Sequence, residues 1–212
     1  MPKAFAPLAG RSMLHWPVAA AAAASTVAAV VIAAPAGRLS QALSVGREAA
    51  GGAATVTAVE GGRERADSVA AALAQVATPV VAVHDAARPL VSSVAFEALA
   101  EIVAAGESDG AILATPVFDT VKRAGGEGGP HPLVAETVDR TGLWAALTPQ
   151  VFTTTALRAA YEAAGSRASE ATDEAMLVEW AGGTVMLVPG SGPNFKLTSA
   201  DDLALAEALL SR

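Results

Sequence analysis

The chain has 212 residues, 52% of them hydrophobic and 17% charged, with a formal net charge of −7. That length suits one domain, and the apolar content supplies a core and excludes global disorder. With no cysteine and only three scattered histidines, His15, His84 and His131, the sequence excludes disulfides, thiolate chemistry and a helical HExxH zinc site. The acidic balance argues against a general nucleic-acid or anionic-membrane binder, so any anionic ligand must be met by local cations.

Residues 17–37 are apolar, follow Lys3 and Arg11, and end in Ala-Ala-Pro-Ala, a pattern shared with signal peptides. The stretch splits, however, into an alanine run at 19–24, Ser25-Thr26, and the β-branched run Val27-Ala-Ala-Val-Val-Ile32. A helix leading into a buried strand accounts for it better, and a cytoplasmic location is then expected. Short apolar runs at 27–34, 54–59, 79–84, 111–117 and 184–188 are each bounded by Gly, Pro or a charge, as in strands buried on both faces and paired mostly in parallel. Between and after them lie helical patterns at 39–50, 64–76, 94–105, 155–164, 173–181 and 200–211. The last opens on Ser199 and Asp202, spaced as a capping box. This alternation predicts an α/β, Rossmann-like open sheet, mostly parallel, with helices on both faces and ligands at the carboxyl ends of its strands.

Residues 119–150 interrupt the alternation and read as an excursion from the sheet, with an arm at about 118–142. Gly125-Gly-Glu-Gly-Gly-Pro130 suits a hairpin tip, with Thr120, Val121, Thr137 and Val138 on flanking strands. A two-stranded arm is marginal alone in water, which points to a dimer. Trp144, Trp180 and Phe152 read as core anchors. The whole chain is expected to be one domain, residues 1–212, with this arm inside it.

Three stretches carry chemistry-bearing residues. His84-Asp85-Ala-Ala-Arg88-Pro89 follows a strand, so Asp85 could orient a hydroxyl or a metal and Arg88 could grip a phosphate, or the two could merely pair and fix a loop. Gly61-Gly62-Arg-Glu-Arg-Ala-Asp-Ser68-Val69 opens a helix, either as a nucleotide contact or as an ordinary charged first turn. Gly190-Ser-Gly-Pro-Asn194-Phe-Lys196 offers a lysine for a phosphate, or for solvent. Asp173 and Glu174 are placed to stabilise a helix N-terminus.

Taken in order, these motifs resemble the 2-C-methyl-D-erythritol 4-phosphate cytidylyltransferases, within the broader sugar-nucleotidyltransferase group. The resemblance rests on Pro2-Lys3, Leu8-Ala-Gly10-Arg, Gly61 to Val69, Val83 to Pro89, Asp119-Thr-Val-Lys122, Leu143 to Phe152, Thr172-Asp-Glu174 and Asn194-Phe-Lys-Leu-Thr198. It implies cytidylyl transfer from Mg²⁺-bound CTP to 2-C-methyl-D-erythritol 4-phosphate in non-mevalonate isoprenoid biosynthesis, with release of pyrophosphate. It also implies catalytic roles for Lys3 and Lys196, nucleotide contacts from Gly62 and Ser68, and substrate contacts from Asp85, Arg88, Thr148, Thr120 and Arg140. The last two would reach a neighbour's site across a homodimer. The Mg²⁺ would be carried mainly by the CTP phosphates, with no dedicated ligand set.

The family places a strand and a Gly-rich Ala-Ala-Gly-x-Gly-x-Arg loop ahead of Pro-Lys, whereas this sequence opens at Met1-Pro2-Lys3. On that comparison the triphosphate would lack backbone donors, strand edges inside the sheet would lack partners, and turnover would be strongly reduced. Two alternatives follow: another polyol phosphate acceptor such as ribitol 5-phosphate, or a noncatalytic ligand-binding or dimerising protein.

Overall fold

A computed structural model describes residues 2–126, 129–190 and 192–211. After a short 3-10 turn at Lys3–Phe5, the chain forms a small hairpin, β1 (Pro7–Leu8) and β2 (Arg11–Ser12), and then helix α1 (His15–Ala23). Pro17 is tolerated in α1 because it lies in the first turn, where backbone N–H groups have no intrahelical acceptor. The helix stops at Ala24, and Glu97 Oε1 accepts bonds from the backbone N–H and the hydroxyl of Ser25, at 2.7 and 2.8 Å. The chain then enters β3 (Ala29–Ala34), as the split of the alanine-rich stretch predicts.

The alternation continues through α2 (Leu39–Ala50), β4 (Thr55–Glu60), α3 (Arg65–Leu73), β5 (Val80–Val83), α4 (Ser93–Ala104) and β6 (Gly110–Pro116). Gly51 closes α2 in the left-handed conformation, at φ 56°. The arm follows, as β7 (Lys122–Gly125) and β8 (Leu133–Thr137), then β9 (Trp144–Thr153), α5 (Thr154–Ala164), α6 (Glu174–Trp180), β10 (Val185–Pro189) and α7 (Ala200–Leu210). The predicted capping box is formed at α7: Ser199 Oγ accepts from Asp202 N–H, and Asp202 accepts from Ser199 N–H. The predicted Gly-rich hairpin tip includes Glu127 and Gly128, which lie outside the described residues.

The strands order as β10-β6-β9-β5, with β3-β4 as a separate pair. β3 and β4 are parallel, as are β10 and β6. The antiparallel strand is β9, which lies between β5 and β6 and pairs with both. β9 takes in residues 144–150 of the expected excursion, where Thr148, Pro149 and Gln150 interrupt the apolar pattern of a buried strand. Apart from the hairpins β1-β2 and β7-β8, the strands of the described residues form two sheets instead of one, and the edges of β3 and β5 that no described strand pairs border a groove of about 840 Å³.

Helices cover both faces, as the strand alternation requires. Ile112 and Phe152 point to a core with Leu157, Leu177 and Val178 of α5 and α6, while Ala111, Leu113 and Val151 point to Leu99 and Val103 of α4. Gly110 permits this packing, since a Cβ there would lie 2.3 Å from Phe152 Cδ1. Phe152 is the buried anchor expected of it, and Trp144 is half-buried at the start of β9. Trp180 is not a core anchor: it is 40% exposed, with the Arg167 guanidinium 4.9 Å from its ring centre. Its place at the C-terminal end of a two-turn helix lets one face reach solvent. Among the described residues, no helix is long and apolar enough to cross a membrane.

Candidate active site

The site grows from the loop after β5. Arg88 N–H donates to Asp85 O at 2.9 Å, turning the chain back, and Leu197 N–H donates to Ala87 O at 2.8 Å, stitching the 194–198 stretch onto that loop. Two segments more than 100 residues apart thereby lie side by side at the carboxyl end of a strand.

His84 is held inside this turn. Burial pulls its pKa down to about 4, so the ring is neutral at neutral pH. Arg88 O, at 3.1 Å from Nε2, can only accept, so Nε2 carries the proton and Nδ1 accepts from the Thr148 hydroxyl at 3.0 Å. Thr148 Oγ1 in turn accepts from Asp85 N–H at 3.1 Å. Thr148, predicted as a substrate contact, is buried and directs its hydroxyl to the backbone of the Asp85 loop.

Three cations surround the Asp85 carboxylate. Arg65 Nε lies 3.3 Å from Oδ1, Lys196 Nζ lies 3.1 Å from Oδ2, and Arg88 Nε lies 4.0 Å from Oδ2. Burial works against ionisation of Asp85, but Arg65 and Lys196 outweigh it and hold its pKa below the ordinary carboxylate range. Arg88 also donates from Nη1 to Asn194 O at 2.9 Å, and burial lowers its own pKa. Its Nε is buried without a hydrogen-bond acceptor among the described residues, so part of this guanidinium's donor capacity is unspent.

Sequence reasoning missed the partner of Arg65. Glu174, 1% exposed, accepts from both Nη1 and Nη2 of Arg65 at 2.7 and 2.8 Å, and from the Tyr161 hydroxyl at 3.2 Å. Burial opposes the charge on Arg65, but Glu174 and Asp85 raise its pKa above the usual guanidinium value. Glu174 is therefore more than a helix-terminus charge; Asp173 takes that role, accepting from Met176 N–H at 3.0 Å. No spacing links residues 109 positions apart, and only the fold brings them together.

Gly62 and Ser68 flank the start of α3. A Cβ on Gly62 would lie 2.1 Å from Asp67 Cβ, so only glycine fits there. Ser68 Oγ donates to Glu64 O at 3.1 Å, and Glu64 and Asp67 form a second capping box. Lys3 joins from the N-terminal turn through a hydrogen bond from Nζ to Leu197 O, beside Lys196. The structure thus brings Lys3, Asp85, Arg88, Thr148 and Lys196 together, while Gly62 and Ser68 lie at the start of α3, the helix whose first residue, Arg65, reaches Asp85. Thr120 and Arg140 stand apart on the arm, where Arg140 Nη1 donates to Phe118 O. Ser191, in the Gly-rich loop before Lys196, lies outside the described residues.

The cluster holds Arg65, Arg88, Lys196 and Lys3 against Asp85 and Glu174, a local cation excess in a chain of net charge −7. Such a setting favours phosphate groups and the negative charge that accumulates when a phosphoryl centre is attacked.

Comparison with known proteins agrees with this chemistry. The family profile described as 2-C-methyl-D-erythritol 4-phosphate cytidylyltransferase matches residues 1–212. A relative of that description from Bordetella petrii is 43% identical over 220 residues, covering 99% of this chain and 90% of that protein. A relative from Anaeromyxobacter dehalogenans, described as a bifunctional enzyme IspD/IspF, is 51% identical over 163 residues, covering 77% of this chain and 42% of that protein. The chain spans 51% of a second bifunctional relative, from Anaeromyxobacter sp., or about half of its length. Among solved structures, the Thermus thermophilus cytidylyltransferase is 34% identical with a TM-score of 0.76, covering 100% of this chain and 94% of that one. The Francisella tularensis enzyme is 28% identical with a TM-score of 0.82, covering 98% and 93%.

Proposed function

The chain belongs to the 2-C-methyl-D-erythritol 4-phosphate cytidylyltransferase family, and from that premise we propose that it transfers a cytidylyl group from CTP to 2-C-methyl-D-erythritol 4-phosphate. A phosphate oxygen of the acceptor attacks the α-phosphorus of CTP, a new P–O–P bond forms, and pyrophosphate leaves with the electron pair of the broken bond. The products are 4-diphosphocytidyl-2-C-methyl-D-erythritol and pyrophosphate.

The observation that carries this reading is the Asp85 carboxylate among Arg65, Arg88 and Lys196 at the carboxyl end of β5, with Lys3 anchored on Leu197. In the proposed reaction Lys3 and Lys196 stabilise charge at the α-phosphate, and Asp85, positively flanked and ionised, accepts from a hydroxyl of the sugar alcohol. Arg88 and Thr148 fix the loop that presents Asp85. Gly62 and Ser68, at the start of α3, contact the cytosine. Mg²⁺, when bound, would be carried mainly by the triphosphate and would offset its negative charge. Both carboxylates of the cluster already face cations, Asp85 with Arg65 and Lys196 and Glu174 with Arg65, and the residues there suit phosphates better than a bare dication.

The proposal extends to a homodimer in which Thr120 and Arg140 on the arm, residues 118–142, reach the acceptor phosphate in the partner's site. It treats residues 1–212 as one nucleotidyltransferase domain working in the cytoplasm. The test is pyrophosphate release from CTP with Mg²⁺, run with 2-C-methyl-D-erythritol 4-phosphate and, in parallel, ribitol 5-phosphate. Turnover confined to the first acceptor is expected. Equal turnover of both, or of ribitol 5-phosphate alone, would overturn the acceptor assignment, and no turnover of either by folded protein would overturn the activity.

A further inference from the structure

Residues from three separate segments close a ring of hydrogen bonds beside Asp85: His84 and Arg88 from the loop after β5, Thr148 from β9 and Asn194 from the stretch before α7. His84 Nε2 donates to Arg88 O at 3.1 Å, and Arg88 Nη1 donates to Asn194 O at 2.9 Å. Asn194 Nδ2 donates to Thr148 O at 2.8 Å, and the Thr148 hydroxyl donates to His84 Nδ1 at 3.0 Å. Every member therefore donates to the next and accepts from the one before, in a single sense around the ring.

The ring fixes both ends of the ion pair between Asp85 and Lys196. Asp85 N–H donates to Thr148 Oγ1 at 3.1 Å, and Asp85 O accepts from Arg88 N–H at 2.9 Å. Lys196 follows Asn194 by two residues and brings its Nζ to 3.1 Å from Asp85 Oδ2. Thr148 and Asn194 are 4% and 8% exposed, so a broken link leaves buried polar groups unpaired instead of hydrated. The imidazole is the member that admits one state. A proton on Nδ1 instead would leave the Nε2 lone pair facing Arg88 O, and a charged ring would take away the acceptor of the Thr148 proton. Burial keeps the ring neutral, and Phe96 of α4 packs against it with ring centres 5.5 Å apart.

We propose that His84 is a positioning residue for the transfer reaction: through Thr148 and Arg88 it sets Asp85 and Lys196 relative to each other, a role that rests on the reaction proposed above. Both ring nitrogens are spent on the protein, so His84 has no polar atom left for a substrate. Its effect falls on the acceptor side and on turnover, because Asp85 is the group that accepts from the sugar alcohol and Lys196 the charge that meets the α-phosphate. The cytosine contacts at Gly62 and Ser68 belong to α3, outside the ring, and are spared.

The test joins NMR of the full chain to kinetics. Nitrogen-15 spectra should show His84 as the neutral Nε2–H tautomer. Thr148→Val, which deletes the hydroxyl and keeps a strand-compatible shape, should speed exchange of the Asp85 amide by about tenfold or more. His84→Gln keeps a donor for Arg88 O but places no acceptor where Nδ1 stood. It should lower kcat/KM for 2-C-methyl-D-erythritol 4-phosphate by about tenfold or more while KM for CTP stays within about twofold of the parent's. The double variant should lose no more than the worse single one, since both break the same link. An Nδ1–H tautomer, or unchanged Asp85 exchange in Thr148→Val, would overturn the proposal whatever the turnover. Full turnover in His84→Gln, additive losses in the double variant, or an equal rise in KM for CTP would overturn the positioning role and leave the reaction standing. A folded parent without turnover would overturn the reaction and this role with it.

Discussion

Arg65 holds Glu174 with both terminal guanidinium nitrogens, at 2.7 and 2.8 Å, and turns its Nε to Asp85 at 3.3 Å. One side chain thereby rivets the first turn of α3 to the first turn of α6 and to the loop after β5. Glu174 is 1% exposed, so removing its cation strands a buried carboxylate, a change that costs about 3–5 kcal/mol in a fully buried pair. Arg65 is 38% exposed, and solvent reduces that figure. Arg65→Ala should therefore lower unfolding free energy by about 2 kcal/mol, read as a lower urea midpoint at unchanged slope. Arg65→Lys, unable to fork, should recover only part of it. A midpoint equal to the parent's in Arg65→Ala would disprove the rivet.

Acid should destabilise the fold in two separate windows. The His84 pKa is about 4 in the folded chain against 6.5 ordinarily, so the unfolded chain binds more protons between those values and stability rises with pH across them. That contribution is complete above pH 6.5 and lost as pH falls toward 4. Asp85, with a depressed pKa, contributes stability above pH 3.8 that is lost only at lower pH. His84→Gln should flatten the urea midpoint between pH 4 and 6.5 while leaving the steeper acid loss in place. An unchanged slope in that variant would refute the assignment to His84.

Periodicity made the helices legible: the pattern at 39–50 coincides with α2, and Ser199 with Asp202 marked the start of α7. The strands after 27, 54, 79, 111 and 184 were equally visible because buried strands read as apolar runs. β9 was hidden, since Pro149 and the polar Thr148 and Gln150 sit in its middle, and its burial depends on neighbours supplied by β5 and β6. The same limit applied to the site. Asp85, Arg88 and Lys196 stood out beside glycines and at strand ends, whereas the Arg65–Glu174 pair joins distant segments and leaves no spacing to detect. Trp180 shows the converse, an aromatic whose type suggested core and whose position at a short helix's end left it half in solvent.

Gly62 tests how tightly the start of α3 is built. A Cβ at this position would meet Asp67 Cβ at 2.1 Å and the Asp67 backbone carbon at 3.2 Å, and backbone cannot rotate aside. Gly62→Ala should push the first turn of α3 outward and break the bond from Glu64 N–H to Asp67, 3.0 Å in the parent. Loss of stability of about 1 kcal/mol is expected from the disrupted cap, together with a fall in CTP affinity of about tenfold or more on the proposed reading. Urea unfolding and calorimetric titration with CTP measure the two effects. If both values match the parent, the close approach is not real.

Lys196 should separate catalysis from stability. In its ion pair with Asp85 the Lys196 side chain is 47% exposed, a setting in which the cation contributes little to folding. On the proposed reading its charge faces the transferring phosphoryl group and should matter far more in the transition state. Lys196→Ala is expected to reduce pyrophosphate release by about 10²–10³-fold while the urea midpoint stays close to the parent's. Unchanged turnover would remove Lys196 from the reaction, and a collapsed midpoint would make its role structural.

The arm should govern assembly. β7 and β8 pair with each other, Lys122 opposite Thr137, and an isolated two-stranded ribbon is marginal in water. Yet the arm and its root expose Leu133 at 82%, Val134 at 62% and Phe118 at 76%, an apolar set that a partner would cover. Because Leu133 and Val134 lie on the ribbon and away from the clusters that hold the sheets, Leu133→Asp should leave the unfolding midpoint intact. It should convert a sedimenting dimer to monomer, and turnover should fall with the dimer fraction and recover at higher protein concentration, since Thr120 and Arg140 would act across the interface. A parent chain that sediments as a monomer over the whole range, or a variant that loses its dimer but keeps full turnover, would exclude a site shared between subunits.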